Sequence, residues 1–162
     1  MGARLRDLGA GRMSTRPRPA PIHYYIDADL LGLAKILVQM MPNVTYPGDP
    51  GGPVKGGRVR AACTITDPAT LDEVWIPESA RQEWLIITRD RHIQDHRAEI
   101  EAVRSSGARM VNLAGDEAKD RFAQMEVFMC QWRRISALLD EKGPFIYAVT
   151  RTTMRALDLS AL

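Results

Sequence analysis

The sequence predicts an α/β fold, a three-layer α/β/α sandwich with a mostly parallel sheet. Short β-branched or aromatic runs alternate with segments of helical periodicity from about residue 22 to residue 150. Two of those runs, in IHYYIDADLLG and WLIITRDRHI, end abruptly in a carboxylate. Strand carboxyl ends of a parallel sheet face a shared crevice, where such folds place ligands. A length of 162 residues with no internal repeat suits one domain that can bury a sizeable core.

Taken in order, Ile22 to Ile26 reads as a first buried strand. Asp27 to Met41 follows as a helix, because Leu30, Leu33, Ala34, Leu37, Val38 and Met41 recur at helical spacing, with Lys35 and Gln39 on the wet side. Val44 to Tyr46 is a short second strand. The Pro/Gly cluster YPGDPGGPVKGGRVR can sustain neither a helix nor a central strand, and is expected to be a functional or disordered loop. Lys55, Arg58 and Arg60 would make that loop positive if it leaned over a substrate groove.

Thr66-Asp67-Pro68 predicts a helix start, with Asp67 as N-cap and Pro68 in the first helical position. The helix carries Asp72, Glu73, Trp75 and Ile76, and Pro77 is expected to kink or split it. Trp84 to Thr88 is a buried strand. A helix from about Asp95 to Ser105 is ended by Gly107, and Arg109 to Leu113 makes another strand. Asp116 is expected to cap the longest helix, to about Lys142, with Phe122, Met125, Phe128, Met129, Trp132, Ile135 and Leu139 as its apolar stripe. Gly143-Pro144 stops it, and Phe145 to Val149 is the last strand.

Composition excludes several classes. The chain is 45% hydrophobic and 26% charged, as soluble globular proteins are. No apolar run is long enough to cross a bilayer, so no membrane role is expected. Cys63 and Cys130 stand alone, without a CxxC pair, and His23, His92 and His96 form no ligand motif, so neither a disulfide framework nor a zinc site is indicated. That suits a reducing cytoplasm. Residues 1–20 hold Arg4, Arg6, Arg12, Arg16 and Arg18 against Asp7, a local charge of +4; with +2 for the whole chain, the remainder carries −2. Residues 1–20 therefore read as a basic, disordered tail, loosely like a transit peptide and without a secretory apolar region. Residues 21–155 are the expected folded domain and 156–162 a C-terminal tail.

Carboxylates gathered at strand ends repel one another and are costly to desolvate, so a divalent cation is the simplest thing to hold them together. Asp27 and Asp90 supply two oxygen ligands, and Asp72 or Glu73, from a helix packed beside them, supplies a third. Such a cation polarises a phosphate and acidifies an attacking water.

YYIDADLLGLAKIL, DEVWIPESA and WLIITRDRHI, with the strand at Arg109–Leu113, the long Trp132 helix and the closing FIYAVTR, resemble the PIN-like nucleases, in particular the VapC-related branch of toxin-like proteins. The resemblance spans most of residues 22–151. Where relatives often read Asp-Glu-Asn-Leu, this chain reads Asp27-Ala28-Asp29-Leu30: Asp27 keeps the leading carboxylate, Ala28 loses the second, and Asp29 is its substitute. The middle acid falls on Asp72, with Glu73 as competitor, and Thr-x-Asp falls on Thr88-Arg89-Asp90. Another Asp often follows in relatives; here His92 stands there, with Asp95 further on, leaving the fourth ligand open.

The resemblance implies a Mg2+- or Mn2+-dependent endoribonuclease whose metal ligands are Asp27, Asp72 and Asp90, assisted by Asp29, Glu73 or Asp95. Thr88 would orient a carboxylate or water, and Arg89, Arg91 or Arg97 would contact RNA phosphates. It also implies a cognate antitoxin and a homodimer as partners. Two alternatives stand beside it. One is a PIN-like fold with a decayed site, kept as an interaction module. The other is a haloacid-dehalogenase-like phosphatase, suggested by Asp27-Ala28-Asp29 but lacking its later Lys and acidic pair.

Overall fold

The computed structural model describes residues 16–114 and 116–160. Strand β1 is Arg18–Pro19 and β2 is Tyr24–Ile26; α1 is Leu31–Met40, β3 Val44–Thr45, β4 Gly52–Val54 and β5 Arg58–Arg60. Helix α2 is Asp72–Arg81, β6 Leu85–Thr88, α3 Arg97–Ser106, β7 Arg109–Leu113, α4 Arg121–Ala137, β8 Phe145–Val149 and β9 Met154–Ala156. The main sheet has six strands in the order β3-β2-β6-β7-β8-β9, parallel except for β9.

Strand alternation divides the core in two. Tyr24, Ile26, Leu85, Ile87, Val111 and Leu113 face α1 and α4, meeting Leu33, Leu37, Phe128 and Ile135. Tyr25, Ile86, Met110 and Ile146 face α2 and α3, meeting Trp75, Ile76, Ile100 and Val103. This is the three-layer α/β/α sandwich that the sequence predicts. No helix among the described residues is long and apolar enough to cross a membrane.

Several elements differ from expectation for identifiable reasons. Asp27 caps a short 3-10 turn, Ala28–Leu30, before α1 begins. The Pro/Gly segment is an ordered hairpin, β4–β5, joined by β1 in a second sheet of order β1-β5-β4. Gly51 allows its turn: its φ is 70°, and a Cβ there would collide with the Arg60 and Ala61 backbone. Arg60 does not contribute a positive groove. It is buried against Asp49, donating through Nη1 at 2.6 Å and Nη2 at 3.0 Å, while Nη1 also reaches the Val44 carbonyl at 2.7 Å.

Asp67 does not start α2. Its carboxylate accepts from Ala69 N–H at 2.8 Å, closing a local turn, and the helix begins at Asp72. Pro77 leaves α2 continuous, because the N–H it lacks would have served the carbonyl of Glu73, an exposed residue that water can satisfy. Helix α3 starts at Arg97 after a 3-10 turn, Ile93–Asp95, and Gly107 ends it with φ 74°. Asp120, not Asp116, caps α4 by accepting from Ala123 N–H at 2.9 Å. Phe122 and Met129, expected in the core stripe, are 82% and 57% exposed. Gln124 and Gln131 are buried instead, donating to the carbonyls of Ala118 and Thr150.

Both expected tails reach the fold where described. Ala20 N–H donates to Val59 at 2.8 Å, and Leu157 N–H donates to Ile146 at 2.8 Å. The expected disorder of residues 1–15 lies outside the described residues.

Candidate metal centre

Strand β2 stops at Ile26, so Asp27 emerges at its carboxyl end, where its N–H still donates to Ile87 at 2.9 Å. The Ile26–Ile87 register sets Asp27 beside Thr88, whose hydroxyl donates to Asp27 Oδ2 at 2.8 Å. Asp27 Oδ1 accepts from Ala28 N–H at 2.5 Å. Burial nonetheless pushes the Asp27 carboxyl up to about 6, against the Thr88 bond and with help from the charges of Asp29 and Asp72. The two strand-end runs, paired along β2 and β6, are thus also joined at their ends by a side-chain hydrogen bond from Thr88 to Asp27.

Asp90 follows β6 by two residues and is held by Asn112, which is 2% exposed on β7. Asn112 Oδ1 accepts from Asp90 N–H at 2.8 Å, and its Nδ2 donates to the Asp90 carbonyl at 2.8 Å. The amide thereby satisfies both backbone groups of one residue, as a neighbouring strand would. The Asp90 side chain accepts from His92 N–H at 2.7 Å through Oδ1, while Oδ2 lies 2.5 Å from His96 Nδ1. That neighbour raises the His96 imidazole from its ordinary range.

Glu99, in the first turn of α3, joins the cluster. It is 6% exposed. Burial pushes its carboxyl up to about 7, with the charges of Asp72, Asp90 and Asp27 adding to the effect. The donor atoms of Asp90, His96 and Glu99 lie within 4.8 Å of one another. Asp72 opens α2, accepts from Trp75 Nε1 at 2.9 Å, and acts on both Asp27 and Glu99. Asp27 and the exposed Asp72 lie outside that close group, but their charges act on Glu99, so four carboxylates from separate segments share one neighbourhood: Asp27, Asp72, Asp90 and Glu99.

The remaining sequence candidates sit around this cluster or apart from it. Asp29 is exposed and acts on Asp27. Glu73 is exposed, and among the described residues no hydrogen bond or ion pair ties its side chain to the cluster. Asp95 is paired at 3.7 Å with His92. Arg91 is exposed and lines a cavity of about 280 Å³ shared with Asp90, Asn112 and Arg155. Arg89 keeps Nε and Nη2 buried without a hydrogen-bond partner. Arg97 is exposed at the start of α3. Larger cavities, of about 640 and 700 Å³, are lined by none of the four carboxylates, so size does not mark this site.

Sequence reasoning missed Glu99, His96 and Asn112. Two signals pointed to them: a Glu on the Ile100–Val103 face of α3, and a lone amide inside the apolar strand RMVNL. The donors present fit a hard or borderline divalent cation, since they are oxygens with one imidazole. The buried carboxylates, raised in pKa by burial and mutual repulsion, provide the reason for one to bind.

A family model described as a PIN-like domain matches residues 23–115, more than half of the chain, a span that includes all four carboxylates and Asn112. No curated protein and no solved structure matches the chain.

Proposed function

Because this chain belongs to the PIN-like domain family, whose members are commonly nucleases, we propose that it is a metal-dependent endoribonuclease that hydrolyses RNA phosphodiesters. The convergence of Asp27, Asp72, Asp90 and Glu99, with Asp27 and Glu99 raised to about 6 and about 7, carries the proposal. Mg2+ or Mn2+ held by these carboxylates would neutralise phosphate charge and acidify water. The chain's own part is positional. Thr88 fixes one Asp27 oxygen, Asn112 fixes the Asp90 backbone, and the unpartnered guanidinium nitrogens of Arg89, with Arg91 at the rim, take phosphate oxygens.

Glu99 supplies the further acid that the sequence motif left open, which argues against the decayed-site alternative. A toxin role with a cognate antitoxin, and a homodimer, extend the same proposal; Phe122 and Met129, exposed on α4, offer an apolar surface for a partner.

Single-stranded RNA incubated with the purified protein in Mg2+, Mn2+ or EDTA tests the reading. Cleavage should need the cation and disappear in Asp27→Asn and Asp90→Asn. Cleavage that survives EDTA or both substitutions would refute it, as would an inert parent that binds no cation. Turnover of phosphomonoesters without RNA cleavage would favour the phosphatase.

A further inference from the structure

Resting on the cation-dependent reading above, we infer that His96 is itself a ligand of the site, and that its imidazole biases the site toward Mn2+ over Mg2+. Three placements support this. His96 precedes α3 directly, so it and Glu99 share one side of the helix start, three residues apart. Its Nδ1 lies 2.5 Å from Asp90 Oδ2 and 3.7 Å from Glu99 Oε2, and all three donor atoms fall within 4.8 Å. Donors that sit about 2.1 Å from a common ion lie roughly 3 to 4 Å apart, so little rearrangement separates this arrangement from a coordinated one.

Glu99 gives the second reason. This carboxylate is more than nine-tenths buried, and its one ion pair among the described residues is with His96 at 3.7 Å, too long for a hydrogen bond. A cation between Glu99, Asp90 and the imidazole would neutralise what the protein leaves uncompensated. His96 itself is half exposed, at the mouth of the cluster, where it can meet an ion entering from solvent.

The choice of ion follows from donor chemistry. Mg2+ prefers oxygen and keeps its waters, whereas Mn2+, though the weakest nitrogen binder of the first-row transition ions, takes an imidazole more readily than Mg2+ does. A carboxylate-only site would separate Mg2+ from Mn2+ weakly. If His96 only donated a hydrogen bond to Asp90, its loss would weaken every cation alike.

The full chain, stripped with EDTA, is titrated calorimetrically with Mg2+ and with Mn2+, and the Mn2+ form is studied by pulsed electron paramagnetic resonance. The parent should show nitrogen modulation from a coordinated imidazole. His96→Ala should lose it while His92→Ala keeps it. In His96→Ala the Mn2+ dissociation constant should rise at least about tenfold, and that for Mg2+ should stay within about threefold. Mn2+ bound without nitrogen modulation overturns the inference, as do equal losses for both ions or no Mn2+ binding by the parent. Both readouts concern the bound ion, so nitrogen coordination in a protein that leaves RNA intact would defeat only the nuclease reading. RNA cleavage without a nitrogen signal would defeat only the role of His96.

Discussion

Replacing Asp27 by Asn should stabilise the cation-free protein at alkaline pH while removing its activity. In the folded chain the Asp27 carboxyl stands at about 6 against an ordinary 3.8, chiefly because it is buried. The native state therefore holds this proton more tightly than the unfolded state does. The stability this provides is complete below about pH 4 and lost as pH rises through about 6. A difference of about two units corresponds to about 3 kcal/mol carried as repulsion and desolvation by the ionised, metal-free site. The amide removes that charge but can keep only one of two acceptor contacts, to the Thr88 hydroxyl at 2.8 Å or the Ala28 N–H at 2.5 Å. The lost contact returns about 1 kcal/mol. The net expectation at pH 8 is that the Asp27→Asn variant is more stable than the parent by about 2 kcal/mol, shrinking to within about 1 kcal/mol at pH 4. Urea denaturation in EDTA, run on both proteins across that range, measures the difference directly. A difference that does not grow between pH 4 and pH 8, or a variant less stable than the parent at pH 8, would refute the reasoning.

Two other substitutions probe the supports. Asp49→Ala leaves the Arg60 guanidinium buried without its carboxylate and should cost about 3 to 5 kcal/mol in urea denaturation; a loss under about 1 kcal/mol would mean that solvent reaches Arg60. Asn112→Ala frees both backbone groups of Asp90 and should raise the dissociation constants of Mg2+ and Mn2+ together by about tenfold in calorimetry, unlike the selective effect at His96. Unchanged affinity for both ions would show that Asp90 holds its position without the amide.

How legible each part was depended on whether its cause was local. The α/β class needs only short apolar strands alternating with helices, and those runs stand in plain sequence at Tyr24–Ile26, Leu85–Thr88, Arg109–Leu113 and Phe145–Val149. Asp27 and Asp90 were legible because each closely follows such a run. Of the expected α4 stripe, Met125, Phe128, Trp132, Ile135 and Leu139 do meet the core, whereas Phe122 and Met129 face outward while Gln124 and Gln131 find buried carbonyl partners at Ala118 and Thr150. The β4–β5 hairpin was illegible. Arg60 at its end is buried against Asp49, an ion pair between residues whose charges alone suggest solvent. Glu99 was missed because a charged residue of α3 carries no sign of burial until Ile100 and Val103 fix which face packs.

These cases share an asymmetry in how the protein treats buried charge. Asp49 is held by a bidentate arginine, the Thr45 hydroxyl at 3.2 Å and the Gly51 N–H at 2.9 Å, so its charge is balanced within the fold. Among the described residues, no guanidinium forms an ion pair with Asp27 or Glu99. Burial and neighbouring charge instead raise the two carboxyls to about 6 and about 7. A fold selected for stability alone would be expected to compensate them, because an unpaired buried charge costs several kcal/mol. Leaving them uncompensated suits the proposed function, in which a cation among these carboxylates would meet a phosphodiester.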